Sequence, residues 1–242
     1  MRTAIPVIRN GRTGQQQLLL KSFFSDLLDI KLLRIAHHKT MTDLSNSVLG
    51  FLGCGKISSA VCRGYAGASG DSRPKKILVS LRSEEKSKAL QAAFPELVFV
   101  YASSEDIVKE ADVIFVGLLP GVAREVLPTL PFDESKLVIS MMAAVDFEET
   151  VQLVRIPAAR VVRTVPLPSA ANRTGPVLVY PPSPQHEAIL SVVSTPVVCH
   201  AESNMKPMIA VTGHISSFFE LMNTSQAFIV ENGMFVIEII AR

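Results

Sequence analysis

The sequence predicts an α/β fold in which a doubly wound sheet is followed by a short helical C-terminal segment. Three observations predict it. First, short runs rich in Val, Ile, Leu and Phe recur at Val48–Gly53, Lys76–Ser80, Leu97–Tyr101, Asp112–Leu118, Lys136–Met141, Arg160–Val165, Val177–Tyr180 and Pro196–His200. Most are continuously apolar, as strands buried on both faces of a parallel sheet must be. Second, helical patterns separate them, and strand–helix alternation of this kind covers a sheet on both sides. Third, the strand pattern stops at Asn204, where a mostly apolar helical stretch begins and runs to about Val230.

The helices have readable ends. Ile57, Ala60, Val61, Gly64, Tyr65 and Ala68 fall on one face at i, i+3, i+4, i+7 spacing. Ser83 stands before Glu84 and Glu85, a cap followed by first-turn acids that suit the positive end of the helix dipole, and Pro95 stops that helix. Ser103 with Asp106 opens another, and Asp146 with Glu148 and Glu149 a third.

Composition narrows the function classes. A chain of 242 residues with 48% apolar and 19% charged residues can bury a large core. Its 24 Lys and Arg against 22 Asp and Glu leave a net charge of +2, too little for bulk attraction to nucleic acid. No apolar run reaches the roughly 18 residues of a membrane helix, so no membrane partner is expected. Cys54, Cys62 and Cys199 lack zinc-ligand spacing and suit small buried residues in a reducing, cytoplasmic setting. His37 and His38 have no Cys or carboxylate at ligand spacing, so no metal is expected there either.

The first forty residues differ. They hold Arg2, Arg9, Arg12, Lys21, Lys31, Arg34 and Lys39 against only Asp26 and Asp29. That bias resembles a mitochondrial or plastid presequence, and a disordered extension reads the same way. Met41 precedes what reads as a compact start. The organisation expected is therefore an N-terminal extension over 1–46, a dinucleotide-binding domain over 47–202, and a helical segment over 203–242.

The chemistry begins at Val48-Leu49-Gly50-Phe51-Leu52-Gly53-Cys54-Gly55-Lys56-Ile57-Ser58. It reads as strand, tight turn and helix. Gly53 can take a turn conformation closed to residues with a Cβ, and Gly55 lets backbone approach a pyrophosphate. Ser58 holds the third small position, where helix packs on strand. The helix then offers free N–H groups at Lys56, Ile57 and Ser58 to phosphate oxygens, as in a Rossmann-type domain.

The second strand selects the dinucleotide. An NAD site places a carboxylate at that strand's tip for the ribose hydroxyls. Here the tip reads Ser80-Leu81-Arg82-Ser83, with Lys86 one turn later. Arg82 can pair with a 2′-phosphate and Ser83 can donate to it, which favours NADP(H).

In this order the motifs resemble the pyrroline-5-carboxylate reductase family. Gly50–Ser58 is similar to its opening glycine turn. Asp112–Pro120 resembles its fourth strand, which ends in Val-Lys-Pro beside the nicotinamide. Ile139–Val145 resembles its Ser-x-x-Ala-Gly-Val segment, and Val162–Ser169 its Arg-x-Met-Pro-Asn-x-Pro stretch. Ala210-Val211-Thr212-Gly213 opens like its substrate motif. The resemblance implies cofactor contacts from Leu119, Pro120, Ala143 and Ala144, besides the glycine turn. It implies substrate hydrogen-bond donors at Ser217 and Thr224, with Thr212 supporting that turn. It further implies a small cyclic imine substrate, hydride transfer to the imine carbon to form proline, and a homo-oligomer built through the C-terminal helix.

Departures from the family pattern are specific. Leu119 stands where the family has Lys, Ala144 where it has Gly, and Leu167 where it has Asn. After Gly213 the motif continues His214-Ile215-Ser216-Ser217-Phe218-Phe219, without the family's glycines and proline. Two readings follow: an NADPH-dependent imine reductase, or a catalytically weak NADP-binding relative that acts through a partner.

Overall fold

The structure is a computed structural model and describes residues 42–231. The side chains of Arg82, Val211, Thr212, Ile215, Ser216 and Phe219 are not among those described. The basic stretch read as a presequence lies outside the described residues.

All eight expected strands form, with ends within two residues of those expected: β1 Val48–Leu52, β2 Lys76–Ser80, β3 Val98–Tyr101, β4 Val113–Val116, β5 Leu137–Ser140, β6 Val161–Val165, β7 Pro176–Tyr180 and β8 Thr195–Val198. They make one sheet in the order β3-β2-β1-β4-β5-β6-β7-β8. The first six strands are parallel, and the chain reverses its direction of growth between β1 and β4, which pair Leu49 with Val113 and Leu52 with Val116. Beyond β6 the parallel expectation fails: β7 lies antiparallel to β6, and β8 runs parallel to β7. Residues 166–175 alone connect β6 to β7, fewer than the dozen or so that a parallel crossover requires.

Among the described residues eight α-helices lie between and after the strands: α1 Lys56–Ala66, α2 Glu84–Ala93, α3 Ser104–Glu110, α4 Pro120–Val126, α5 Phe147–Val154, α6 Pro184–Leu190, α7 Met205–Gly213 and α8 Ile215–Glu231. Two expected caps form as hydrogen bonds. The Ser103 hydroxyl accepts from the Asp106 N–H at 3.3 Å, and the Asp146 carboxylate accepts from the Glu149 N–H at 2.8 Å. Ser83 sits at the start of α2 but its side chain makes no capping bond. The short helices α4 and α6 were not legible in the sequence. Each has only seven residues, too few for a periodic pattern, and each is opened by a proline, whose missing N–H costs nothing at the first helical position. The long apolar stretch expected after Asn204 breaks at His214 into α7 and α8.

Consecutive strand residues feed two separate cores. Phe51, Val79, Phe115 and Ile139 pack on one face of the sheet, and their neighbours Leu52, Leu78, Ile114 and Val138 on the other. A period of two delivers every second side chain to one face, so both faces must be covered. Phe51 stacks on Phe115 at 4.7 Å, and Tyr65 of α1 tilts against Phe115 at 5.4 Å. The Tyr65 hydroxyl donates to the Ile189 carbonyl at 3.0 Å and ties α1 to α6. The packed unit starts before β1: Leu44 is buried, and the Thr42 hydroxyl donates to the Ala188 carbonyl at 2.7 Å. At the other end, Met205 is buried with Leu178 and Cys199, whereas α8 is largely exposed.

His186 in α6 is wholly buried. Its Nδ1 accepts from the Ser183 hydroxyl at 2.7 Å, and its Nε2 donates to the Arg160 carbonyl at 3.2 Å. A carbonyl only accepts, so the ring proton sits on Nε2, and the neutral ring leaves Nδ1 free to accept from Ser183. Burial pushes its pKa down from 6.5 to about 4. The unfolded chain therefore takes up a proton that the folded chain refuses. The stabilisation is complete above pH 6.5 and is lost as the pH falls toward 4, a loss on the order of 3 kcal/mol. Urea unfolding at pH 7 and pH 4.5 should register that loss, and His186→Gln should flatten it. An unchanged pH dependence in the variant would assign the effect to other groups.

Candidate functional site

The site lies at the carboxyl ends of β1, β4 and β5, where the strand order reverses. Open α/β sheets bind their ligands at this position, because the connections on either side run in opposite directions and leave a crevice. β1 ends at Leu52, and Gly53 turns the chain with φ of +91°. A Cβ at Gly53 would stand 2.5 Å from the carbonyl oxygen of Gly117 at the end of β4, so both the backbone angle and the close approach require glycine. The Gly53 N–H is not spent on a ligand. It donates to the Ser80 hydroxyl at 2.9 Å, which locks the turn to the end of β2.

Gly55 is the N-cap of α1, and no side chain caps this helix. The first N–H groups of α1 are therefore left without intrahelical acceptors, at the positive end of the helix dipole. A Cβ built on Gly55 meets nothing within 4 Å, so the space beside that backbone is open. Ser58 is buried and packs against Gly117, where a Cβ would come 2.2 Å from its hydroxyl oxygen. Small residues thus draw α1, β1 and β4 together.

A cleft of about 350 Å³ opens from this turn. Gly55, Lys56, Ile57 and Ser58 line it on one side, Gly117, Leu118, Leu119 and Pro120 at the end of β4, and Met141, Met142, Ala143 and Ala144 after β5. The structure therefore gathers Gly55, Lys56, Ile57, Ser58, Leu119, Pro120, Ala143 and Ala144 into one cavity, while Gly53 forms the turn that leads into it without lining it. Leu119 is 75% exposed, an apolar side chain held over the cleft. Gly117, Leu118, Met141 and Met142 are lining residues that the sequence reading left unassigned. A glycine at the end of a buried strand was the signal available for Gly117.

The tip of β2 is shaped by serines. The buried Ser87 hydroxyl donates to the Ser80 carbonyl at 2.8 Å, and its geometry also reaches the Ser83 carbonyl at 3.1 Å. The chain there forms a single 3₁₀ turn, Leu81–Ser83, before α2. Arg82 and Ser83 thus occupy the tip of the second strand; the Arg82 side chain lies outside the description. Ser217 and Thr224 are exposed on α8, and neither lines the cleft. The Thr224 hydroxyl donates back to the Glu220 carbonyl at 2.9 Å. Thr212 lies in α7, its side chain outside the description. Another hollow, of about 340 Å³ and almost wholly apolar, lies among Val165, Leu167, Pro176, Leu178, Val197, Pro207 and Met208.

A part-buried ion pair, also missed by the sequence reading, stands behind the cleft. Arg163 of β6 donates from Nη1 to the Glu202 carboxylate at 2.5 Å and from Nη2 to the Ala143 carbonyl at 2.6 Å. The same Glu202 oxygen accepts from the Phe147 N–H, the first of α5, at 2.8 Å. The sequence offered Arg163 only as part of a motif and Glu202 not at all, because 39 residues separate them. Among the described residues, no group of three or more His, Cys, Asp or Glu could hold a metal, and no helix is long and apolar enough to cross a membrane.

A glycine turn, an uncapped helix N-terminus and a cleft at the switch point define a Rossmann-type dinucleotide-binding domain. Comparison with known proteins agrees. Residues 48–144 match the model of the family described as NADP oxidoreductase, coenzyme F420-dependent. Over 103 residues, 42% of the chain, it is 32% identical to pyrroline-5-carboxylate reductase from Escherichia coli and 28% identical to that from Arabidopsis thaliana. Over that stretch the chain is similar to the pyrroline-5-carboxylate reductases. The match spans little more than a third of these relatives' own length, 37% and 36%. The fold extends further. A Streptococcus pyogenes 1-pyrroline-5-carboxylate reductase superposes with a TM-score of 0.62 at 18% identity, over 79% of this chain and 73% of that one. A Plasmodium falciparum pyrroline carboxylate reductase with NADP bound gives 0.62 at 20% identity, over 79% and 72%. An imine reductase from Aspergillus terreus, in complex with NADPH4 and dibenz[c,e]azepine, gives 0.53 at 14% identity, over 81% and 71%.

The two turn glycines should separate stability from binding. Gly53→Ala forces a Cβ into a backbone carbonyl at an unfavourable φ, which should cost about 2–4 kcal/mol in urea unfolding. Gly55→Ala fills only open space, so its stability should stay within about 1 kcal/mol of the unmodified protein while dinucleotide affinity falls. Equal stability of the two variants would contradict the packing described for Gly53.

Proposed function

We propose that the chain binds NADP(H) in this cleft and serves as a reductase of a small imine, of the 1-pyrroline-5-carboxylate type. The observation that carries the reading is the open space beside Gly55 at the uncapped start of α1, continuous with a cleft that reaches the loop after β5. A dinucleotide has two halves joined by a pyrophosphate, and this cleft offers a phosphate cradle between two strand-end platforms. The residues fit the group: a Cβ at either turn glycine would crowd the backbone or close the cradle, and Ser58 keeps the helix near β4. Bound there, the cofactor supplies a hydride to an sp² carbon.

The chain's own residues do the positioning. Lys56, Ile57 and Ser58 direct backbone N–H groups at the pyrophosphate. Arg82 and Ser83, at the tip of β2, would meet the 2′-phosphate, and Lys86 adds positive charge one turn later. Leu119 and Pro120 on one side and Ala143 and Ala144 on the other would flank the nicotinamide ring with apolar surface that excludes water. Ser217 and Thr224 lie seven residues apart on α8, hence on one face of the helix, and would donate to the substrate with Thr212 at the preceding turn. The relatives' substrate, their product proline and their assembly reach this chain only through this reading, as does a homo-oligomer formed through the C-terminal helix.

A second reading is favoured by the altered motif after Gly213 and by the exposed Leu221, Met222 and Val230 of α8. In it the domain binds NADP(H) without efficient turnover and α8 serves a partner. Steady-state turnover with 1-pyrroline-5-carboxylate and NADPH separates the two: roughly 1–1,000 per second is enzyme-like, and its absence with intact NADPH binding supports the second reading.

Cofactor choice gives a sharper measurement. A charge-assisted contact with the 2′-phosphate is worth about 1.5–3 kcal/mol, or roughly ten- to a hundredfold. Calorimetric titration should therefore show NADPH binding at least about tenfold tighter than NADH. Arg82→Ala should remove most of that gap with little change for NADH, and Arg82→Asp should reverse it. Equal affinities in the unmodified protein would end the NADP assignment.

A further inference from the structure

Arg163 is placed expensively for a residue that only stabilises. It is 5% exposed in the middle of a sheet, and its Nε is buried with no partner among the described residues. Taking the guanidinium out of water offsets much of what its pairing with the half-buried Glu202 contributes, so the pair adds little stability over apolar side chains of similar size. What the pair does provide is direction. Arg163 reaches forward from β6 to the Ala143 carbonyl, in the wall of the cleft, and sideways to Glu202. Glu202 belongs to the short turn Glu202–Asn204 that leads into α7, and it also holds the first N–H of α5. Asp146 caps α5 from within the same loop, so residues 143–147 are tied at Ala143, Asp146 and Phe147.

We propose that Arg163 and Glu202 form a positioning clamp that sets the wall of the cleft at Ala143–Ala144 against the base of the C-terminal helical segment. The clamp acts on the half of the cleft past β4 and β5. The adenosine half belongs to the tip of β2, so this far wall faces the nicotinamide half. The inference rests on the dinucleotide reading proposed above. Both residues work through the Ala143 carbonyl and the start of α5; neither lines the cleft. A shift at the start of α7 moves the carboxylate, and with it the guanidinium and the wall. Substrate-side and cofactor-side elements are thereby mechanically joined.

The test uses two ligands that differ only in the nicotinamide half. Titration calorimetry would compare NADPH with 2′-phospho-ADP-ribose in the unmodified chain, in Glu202→Gln, and in the double variant Arg163→Met with Glu202→Leu. The double variant removes both charges together, so no buried charge is left unpaired and the fold should be retained. NADPH should weaken roughly 2- to 30-fold in the double variant and less in Glu202→Gln, while 2′-phospho-ADP-ribose binds as before. In the ligand-free proteins, amide hydrogen exchange should quicken over residues 143–149 and stay unchanged over Gly53–Ser58. Equal weakening of both ligands would reveal general structural damage and overturn the clamp, as would unchanged exchange at 143–149. If the unmodified chain binds both ligands and the variants match it, the clamp alone fails. If the unmodified chain binds neither, the dinucleotide reading fails, and the clamp falls with it.

Discussion

Where β1 meets α1, three backbone segments must pass within van der Waals distance of one another, and the rest of the site depends on that approach. The end of β4 comes so near the turn that the Gly117 carbonyl occupies the space a Gly53 side chain would need. Ser58 closes the third side from α1. With this approach satisfied, the start of α1 stands at the mouth of the cleft with its N–H groups uncapped. A larger residue at any of these points would move the helix off the sheet and carry the N–H groups away from the cradle. Ser80 reinforces the arrangement by using up the Gly53 N–H, so the turn is held by the second strand as well as by the fourth.

The sheet divides the labour around that turn. Its six parallel strands are largely apolar on both faces, and the two cores flanking them give a platform whose strand ends all point to one side. β7 and β8 run the other way and contribute a smaller cluster with Cys199 and Met205, which seats the start of α7. The reversal is more than an ornament of topology. After β8 the chain comes back so that Glu202 meets Arg163, the central residue of β6, which also holds the Ala143 carbonyl in the loop after β5. The sheet and its turn thus follow a fold shared with the structural neighbours.

Much of this was legible in the sequence, for a physical reason. Strands buried on both faces must be largely apolar, and the eight runs rich in Val, Ile, Leu and Phe announced themselves. The glycine turn is local, since Gly53, Gly55 and Ser58 act within six residues of chain, and the caps at Ser103 and Asp146 act within four. The serine- and arginine-bearing tip of β2 could be read the same way, because strand and tip are contiguous. Local patterns failed where an element was too short to carry a period, as with α4 and α6, or where a strand's direction depended on the length of its connection, as with β7.

By itself, then, the sequence determined the alternation of strands and helices, the position of the phosphate turn and the identity of the residues along the cleft's first wall. Each of these follows from interactions between residues close in the chain. Only the tertiary structure decided which distant segments share the cleft, that Gly117 and the Met141–Ala144 loop complete it, and that Arg163 pairs with Glu202 behind it. It also decided the protonation of His186, whose burial and whose partner carbonyl at Arg160 come from different elements. Those facts depend on contacts across 20 or more residues of chain, which no periodicity or spacing encodes; they exist only once the sheet has brought the strand ends together.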